Sequence, residues 1–188
     1  MGSSLAPALL LSMPQLVDPN FSRTVVLLCK HGDDGALGLV VNRPLVTTGR
    51  ITVNLDPPVS TDRELQVWVG GPVEPQSIWI LVDQDPHAEG DMPGIRIADQ
   101  FYLSTSPHLL RRLLEPDPPP IARLIVGYAG WGPGQLEDEL AEEAWIVEAP
   151  RREELFSDDA EGLWPAVLRR MGREFALLST MPPDPSLN

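Results

Sequence analysis

The chain has 188 residues, 43% of them hydrophobic and 22% charged, proportions that suit one globular domain with a sizeable core. Its 27 acids against 14 bases give a formal charge of −13, which disfavours direct contact with nucleic acid, where Lys and Arg must neutralise phosphates. A single cysteine, Cys29, excludes an intrachain disulfide and fits a reducing compartment.

The opening run "SLAPALLLSMPQL" is short, follows no positive charge and shows no small-residue cleavage pattern, so neither a secretory signal nor a membrane span is expected from it. "MGSSLA" lacks the Ser or Thr that myristoylation needs. The expected location is cytoplasmic, without contact to a membrane. The 21 prolines and 15 glycines predict short elements joined by tight corners.

Residues 23–44, "RTVVLLCKHGDDGALGLVVNRP", read as an antiparallel hairpin: two β-rich apolar runs flank the turn-forming "GDDG". Pro44 is expected to end the second strand. The polar, proline-broken stretch that follows reads as a loop. "QVWVGGPV" and "SIWILVD" then read as two strands, and "GGPVEPQ" places them as possible partners. "GIRIA" is a short strand in a loop-rich region. "FYLSTSPHLLRRLL" carries a helix start, with Ser104 or Ser106 as cap and Pro107 in the first turn, and "EPDPPP" must end it.

"IARLIVGYAGW" reads as a buried strand and "QLEDELAEEAW" as a helix, with Leu136, Leu140 and Ala144 on one face and acids at its start. "AWIVEAP" returns to a strand. "GLWPAVLRRMG" is a last helix that Gly172 stops, and "STMPPDPSLN" is expected to be extended or mobile. An antiparallel hairpin and an excess of strands point to α+β.

"GYAGWGPGQLEDEL", residues 127–140, is the motif that most invites a functional reading, because glycine-rich turns before helices cradle phosphate. Its spacing is neither a Walker loop nor a dinucleotide fingerprint. Glu137, Asp138 and Glu139 in the first helical turn would repel a polyanion. Gly130, Gly132 and Gly134 are therefore expected to give the backbone freedom for a sharp corner that Trp131 plugs. Tyr128, Trp131 and Gln135 also suit a recognition surface.

Other constellations are weaker. Cys29 and His31, two apart on one strand, should share a face, yet they have no evident third group to form a nucleophilic set. The histidines His31, His87 and His108 are scattered, and no metal-ligand spacing exists. Asp83, Asp85, Glu89 and Asp91 in "DQDPHAEGD" lack the calcium-loop pattern. Arg111-Arg112, Arg151-Arg152 and Arg169-Arg170 are only pairs, expected on solvated faces. Asn42-Arg43-Pro44 sits at a strand end, where it can orient a ligand carboxylate or cap local backbone.

The segments "MPQLVDPNFSRTVVLLCKHGDDGALGLVVNRP", "VGGPV", "FYLSTS", "GYAGWGPGQLEDEL" with "AWIV" after it, and "LFSDDAEGLWPAVLRRMG" together resemble the YqgE/AlgH family, from about Leu9 to Gly172. The resemblance implies a single α+β domain over residues 1–188, with 1–8 and 179–188 expected to be peripheral or mobile, and a bifurcated, mostly antiparallel β-sheet surrounded by helices. It brings a label of transcriptional regulator but no accepted catalytic residue to carry over. After Gly172, "REFALLSTMPPDPSLN" departs from the family pattern.

The expected function is a regulatory or interaction module that binds a protein or small ligand, acting on transcription only indirectly. The candidate surface comprises Asn42, Arg43, Gly70, Gly71, Tyr128, Trp131, Gln135 and Glu137. No cofactor, metal or catalytic residue is assigned. The alternatives are a hydrolase-like enzyme with an acidic cleft built on Glu137 or Glu139, and a direct DNA-binding regulator, which the charge disfavours.

Overall fold

A computed structural model describes residues 4–46, 55–59, 65–83, 94–97, 101–115 and 122–182. Among the described residues, nine strands form one sheet, ordered β6-β7-β5-β8-β3-β2-β1-β9, with β4 joined to β8 off that path. The chain contributes β1 (Ala8–Ser12), β2 (Val25–Gly32), β3 (Gly35–Val40), β4 (Val67–Val69), β5 (Val73–Val82), β6 (Gly94–Ile97), β7 (Phe101–Ser104), β8 (Ala122–Trp131) and β9 (Trp145–Glu148). Five helices among the described residues pack on it: α1 (Pro107–Leu114), α2 (Gln135–Ala141), α3 (Arg152–Leu155), α4 (Ala160–Met171) and α5 (Arg173–Leu178). All strand pairs are antiparallel except β4 with β8. The fold is α+β.

The near-continuous apolar runs of β1 and β2 reflect burial on both faces. Alternate residues serve two cores. Leu9, Leu11, Val25 and Leu27 meet Leu155, Leu163, Trp164, Val167 and Leu168 of α3 and α4. Leu10, Val26 and Leu28 meet Trp131, Leu136 and Trp145 on the other side. A third cluster joins Ile80 and Val82 to Leu109, Leu110 and Leu113 of α1.

The sheet forks at β8. Leu124, Ile125 and Val126 have β4 on one edge and β5 on the other, while Ala129 to Trp131 pair with β3. β4 and β5 are therefore not partners, as the short link between them suggested. The link instead carries the chain across β8. Gly70 N–H donates to the Val126 carbonyl while its own carbonyl accepts from Val40 N–H, both at 2.8 Å. A Cβ on Gly71 would lie 2.3 Å from the Tyr128 carbonyl carbon, and one on Gly127 would lie 2.5 Å from the Gly71 oxygen. Two backbones cross here at a distance only glycine permits.

Several elements differ from the sequence reading. The opening apolar run is an interior strand, β1, between β2 and β9. α4 begins a turn earlier than Pro165 suggested, because Asp159 accepts from Gly162 N–H at 2.9 Å and caps it. Gly172, at φ +127°, ends α4 as expected, but "REFALL" then forms α5. Ser106 stands at the α1 cap position without a capping side-chain bond, and Ser104 Oγ accepts its N–H at 3.0 Å. The loop stretches at 47–54 and 84–93, with His87, Asp85, Glu89 and Asp91, lie outside the described residues. No described helix is long and apolar enough to cross a membrane.

Candidate functional site

The glycine–tryptophan motif closes on itself through one carboxylate. Gly134, at φ +75°, turns the chain into α2, and Gln135 Oε1 accepts the Gly132 N–H at 3.0 Å. Gln135 Nε2 donates to Glu139 Oε1 at 2.9 Å, one helical turn on. Glu139 Oε2 accepts from two indoles, Trp131 Nε1 at 2.9 Å and Trp145 Nε1 at 2.7 Å. The two rings meet edge to face at 5.9 Å, and Phe21 extends the row against Trp145 at 5.7 Å. The plug role expected of Trp131 is what its burial and its indole bond show. Of the three corner glycines, only Gly134 has a left-handed backbone; Gly130 lies inside β8, where the strand reading of "IARLIVGYAGW" placed it, with an ordinary backbone rather than the special freedom expected of it.

Beside this corner, His31 links the N-terminal segment to α2. Its Nδ1 accepts from Leu5 N–H at 3.1 Å, and its Nε2 stands 2.8 Å from Glu137 Oε1. The Glu137 carboxyl is held below its ordinary value of 4.5, first by its own backbone N–H and then by His31. The contribution of Glu137 to stability is therefore present above the ordinary carboxylate range and is lost as pH falls through the lowered folded value. Glu137→Gln is expected to lower Tm at neutral pH and to match the parent chain in acid. A gap between the two melting curves that stays constant with pH would contradict this.

A β-bulge separates Cys29 from His31. The register shifts between Leu28 and Lys30, so Cys29 turns into one core while His31, opposite Ala36, faces the other. The shared face expected of residues two apart on a strand is thereby lost. Burial pushes the Cys29 thiol up to about 12, far from the thiolate a nucleophile requires. We expect no reaction with a disulfide reagent at pH 8 in the folded chain and stoichiometric reaction in denaturant. Rapid native labelling would contradict the packing.

The remaining candidates occupy structural positions. Asn42 is buried: its Oδ1 accepts Val25 N–H at 2.9 Å, and its Nδ2 donates to the Arg23 and Ala160 carbonyls at 3.0 and 3.4 Å. Arg43 Nη2 donates to the Ser22 carbonyl at 2.5 Å. Gly70 and Gly71 form the crossing described above. Tyr128 is half-buried on the face opposite Trp131 and packs edge to face with Trp79 at 6.1 Å. Gly35 of the hairpin likewise lies against the corner backbone: a Cβ on it would meet the Trp131 oxygen at 2.2 Å.

Sequence reasoning missed two residues. Glu139 entered as an acid of the helix start and as an alternative cleft acid, not as the acceptor of two indoles, although an acid four residues after Gln135 on the helix was a readable signal. Arg123, a lone cation inside an apolar strand, is buried and stacks on Trp68 at 3.8 Å. It donates to the Val41 and Ser157 carbonyls at 2.8 and 2.7 Å, with Asp158 at 3.6 Å. Burial lowers its pKa to about 10, so it stays charged at neutral pH. The arginine pairs are divided in role: Arg152 bonds Asp83 at 2.6 Å, and Arg170 bonds Glu154 at 2.6 Å and Glu148 at 3.2 Å. A cleft of about 300 Å³ lies between α3 and α4, lined by Arg151, Glu153, Asp159 and Arg170 among others. Among the described residues, no group of three or more His, Cys, Asp or Glu is placed to hold a metal ion.

A forked, mostly antiparallel sheet with helices packed on both faces makes this an α+β domain. The AlgH-like family model, DUF179, matches residues 9–176, and the chain belongs to that family. It is 41% identical over 180 residues to a UPF0301 protein of Myxococcus xanthus, covering 93% of this chain and 95% of the relative. A UPF0301 protein of Magnetococcus marinus is 40% identical over 182 residues, with 94% of each chain covered. The solution structure of the AlgH protein from Pseudomonas aeruginosa superposes with a TM-score of 0.71 at 29% identity over 96% of both chains. Protein DIP2367 of Corynebacterium diphtheriae, at 23% identity and a TM-score of 0.70 over 94% of this chain and 92% of its own, shares the fold.

Proposed function

We propose that this AlgH-like chain is an interaction module that binds a protein or small ligand beside the glycine–tryptophan corner and reaches transcription only through a partner. One observation carries the reading: Asn42, Arg43, Trp131, Gln135 and Glu139 direct their polar groups at other residues of the chain. They hold the corner in shape, Glu137 stands exposed beside it, and Tyr128 lies half-buried on the opposite face of the sheet. A hydrolase-like role for Glu137 would call for an enclosed carboxyl shifted upward. Glu137 is exposed and shifted downward, which favours binding over catalysis. The formal charge of −13 likewise favours a protein or small ligand over DNA.

The test titrates the purified chain into a fluorescent DNA duplex at low and physiological salt, and assays it against chromogenic esters and phosphate esters. We expect neither saturable DNA binding nor turnover. DNA affinity that falls steeply with salt, or turnover abolished in Glu137→Gln, would overturn the reading.

A further inference from the structure

We propose that Lys30, Leu37, Gly130 and Tyr128 form a platform for a small aromatic carboxylate, its ring resting on Gly130 and its carboxylate meeting the Lys30 ammonium. The proposal rests on the interaction-module reading and gives that module a ligand class.

The four residues share one sheet face. Lys30 pairs with Leu37 across β2 and β3, and Leu37 pairs with Gly130 across β3 and β8. Paired residues of antiparallel strands point the same way, so the row spans roughly 10 Å between the Cα atoms of Lys30 and Gly130. Tyr128, two residues along β8, lies on the same face. Leu37 and Tyr128 pack at the border of the core formed with α3 and α4, whereas Lys30 and Gly130 are exposed. The bulge at Cys29 brings Lys30 into this row; in regular register it would have faced the other way.

Gly130 is the telling position. A glycine inside a strand weakens it and usually answers to a bend or a crowded neighbour. Gly38 on the adjoining strand has such a neighbour, since a Cβ there would strike Val26 Cγ1 at 2.6 Å. At Gly130 a Cβ would meet nothing closer than the Tyr128 ring at 3.4 Å, and the backbone is not left-handed. Neither local geometry nor packing calls for glycine. What its missing side chain leaves is a bare peptide floor beside an aromatic wall, the space a planar ring fills.

Two further features fix the chemistry. Lys30 is the only lysine in the chain and has no ion pair among the described residues, although acids outnumber bases almost two to one. An unpaired ammonium at the end of an apolar row selects one carboxylate at the end of an apolar group. Behind the wall, the Trp79 indole packs on Tyr128 with its N–H buried and, among the described residues, bonded to no protein atom, which native cores seldom show. The footprint is that of one ring, so affinity is expected to be weak, with a Kd on the order of 1 mM.

The experiment titrates indole-3-acetate, and separately indole-3-acetamide, into the 15N-labelled full chain and follows backbone amides. The acetate is expected to shift residues 36–38 and 128–131 together with Lys30, saturably, and to bind about threefold more tightly than the amide. Gly130→Val, which fills the floor with a strand-favouring side chain, is expected to weaken the acetate at least about tenfold and leave distant resonances in place. Lys30→Gln should remove the preference for acetate over amide while keeping the ring contact. Absent shifts, shifts centred elsewhere, or equal affinity in Gly130→Val would overturn the platform and leave the interaction-module reading standing. Conversion of the acetamide to acetate by the chain would instead overturn that reading.

Discussion

Gly71→Ala is expected to destabilise the chain by about 4 kcal/mol, adding backbone strain to a forced overlap in the core. The added Cβ would stand 2.3 Å from both the carbonyl carbon and oxygen of Tyr128 and 2.5 Å from Ala129 N. All three are main-chain atoms of β8, hydrogen-bonded into the sheet, and cannot swing aside as a flexible side chain would. Gly71 also sits at φ +155°, which an L side chain rarely adopts. The urea midpoint should fall sharply with the slope of the transition unchanged. Gly130→Ala is the control. Its Cβ meets only ordinary contact at 3.4 Å, and stability should change by less than about 1 kcal/mol. Equal effects at the two positions would show that the backbone crossing does not govern these glycines.

Asn42→Ala is expected to cost about 3 kcal/mol, because a buried donor and two acceptors lose their partner together. The amide of Asn42 ties three segments: Val25 at the start of β2, Arg23 before it, and Ala160 at the start of α4. In the alanine variant, Val25 N–H and the Arg23 carbonyl would face the core unpaired. Asn42→Asp tests the account further, since it keeps an acceptor for Val25 but turns a carboxylate oxygen toward two carbonyls. It should be nearly as destabilising as alanine. An aspartate variant as stable as the parent chain would deny the staple.

Much of this fold is legible in the sequence because local chemistry and tertiary context agree. The "GDDG" hairpin, the β8 strand and the α2 start all carry their own turn residues and periodicity. β1 was hidden because "ALLLS", buried on both faces, lacks the alternation that marks a strand. The β4–β5 link looked like a hairpin turn because sequence cannot show that Gly70 and Gly71 must pass over another backbone. The bulge at Cys29 carries no composition signal, yet it reverses every face assignment beyond it, sending His31 to Glu137 and Lys30 to the opposite side.

The candidate site was legible in its residue types and much less so in its geometry. Tyr128, Trp131, Gln135 and Glu137 were picked out as recognition residues, but their neighbours decide what each contributes. Trp131 and Gln135 turn inward to Glu139, whereas Tyr128 stands on the opposite face beside Gly130. Only the register of β3 on β8 brings Leu37 and Lys30 into line with them. Arg123 was hidden for the same reason: an arginine in an apolar run reads as an exception until Trp68 and two carbonyls are seen around it.

The tryptophan indole resonances offer the most direct check that the motif is an internally closed corner. In a 15N spectrum of the chain, Glu139→Gln should shift the Trp131 and Trp145 indole N–H signals together and speed their exchange with solvent. The signals of Trp68, Trp79 and Trp164 should stay in place. If Trp131 exchanges freely in the parent chain, or a nucleotide rather than Glu139 governs its signal, the corner is open and the account fails.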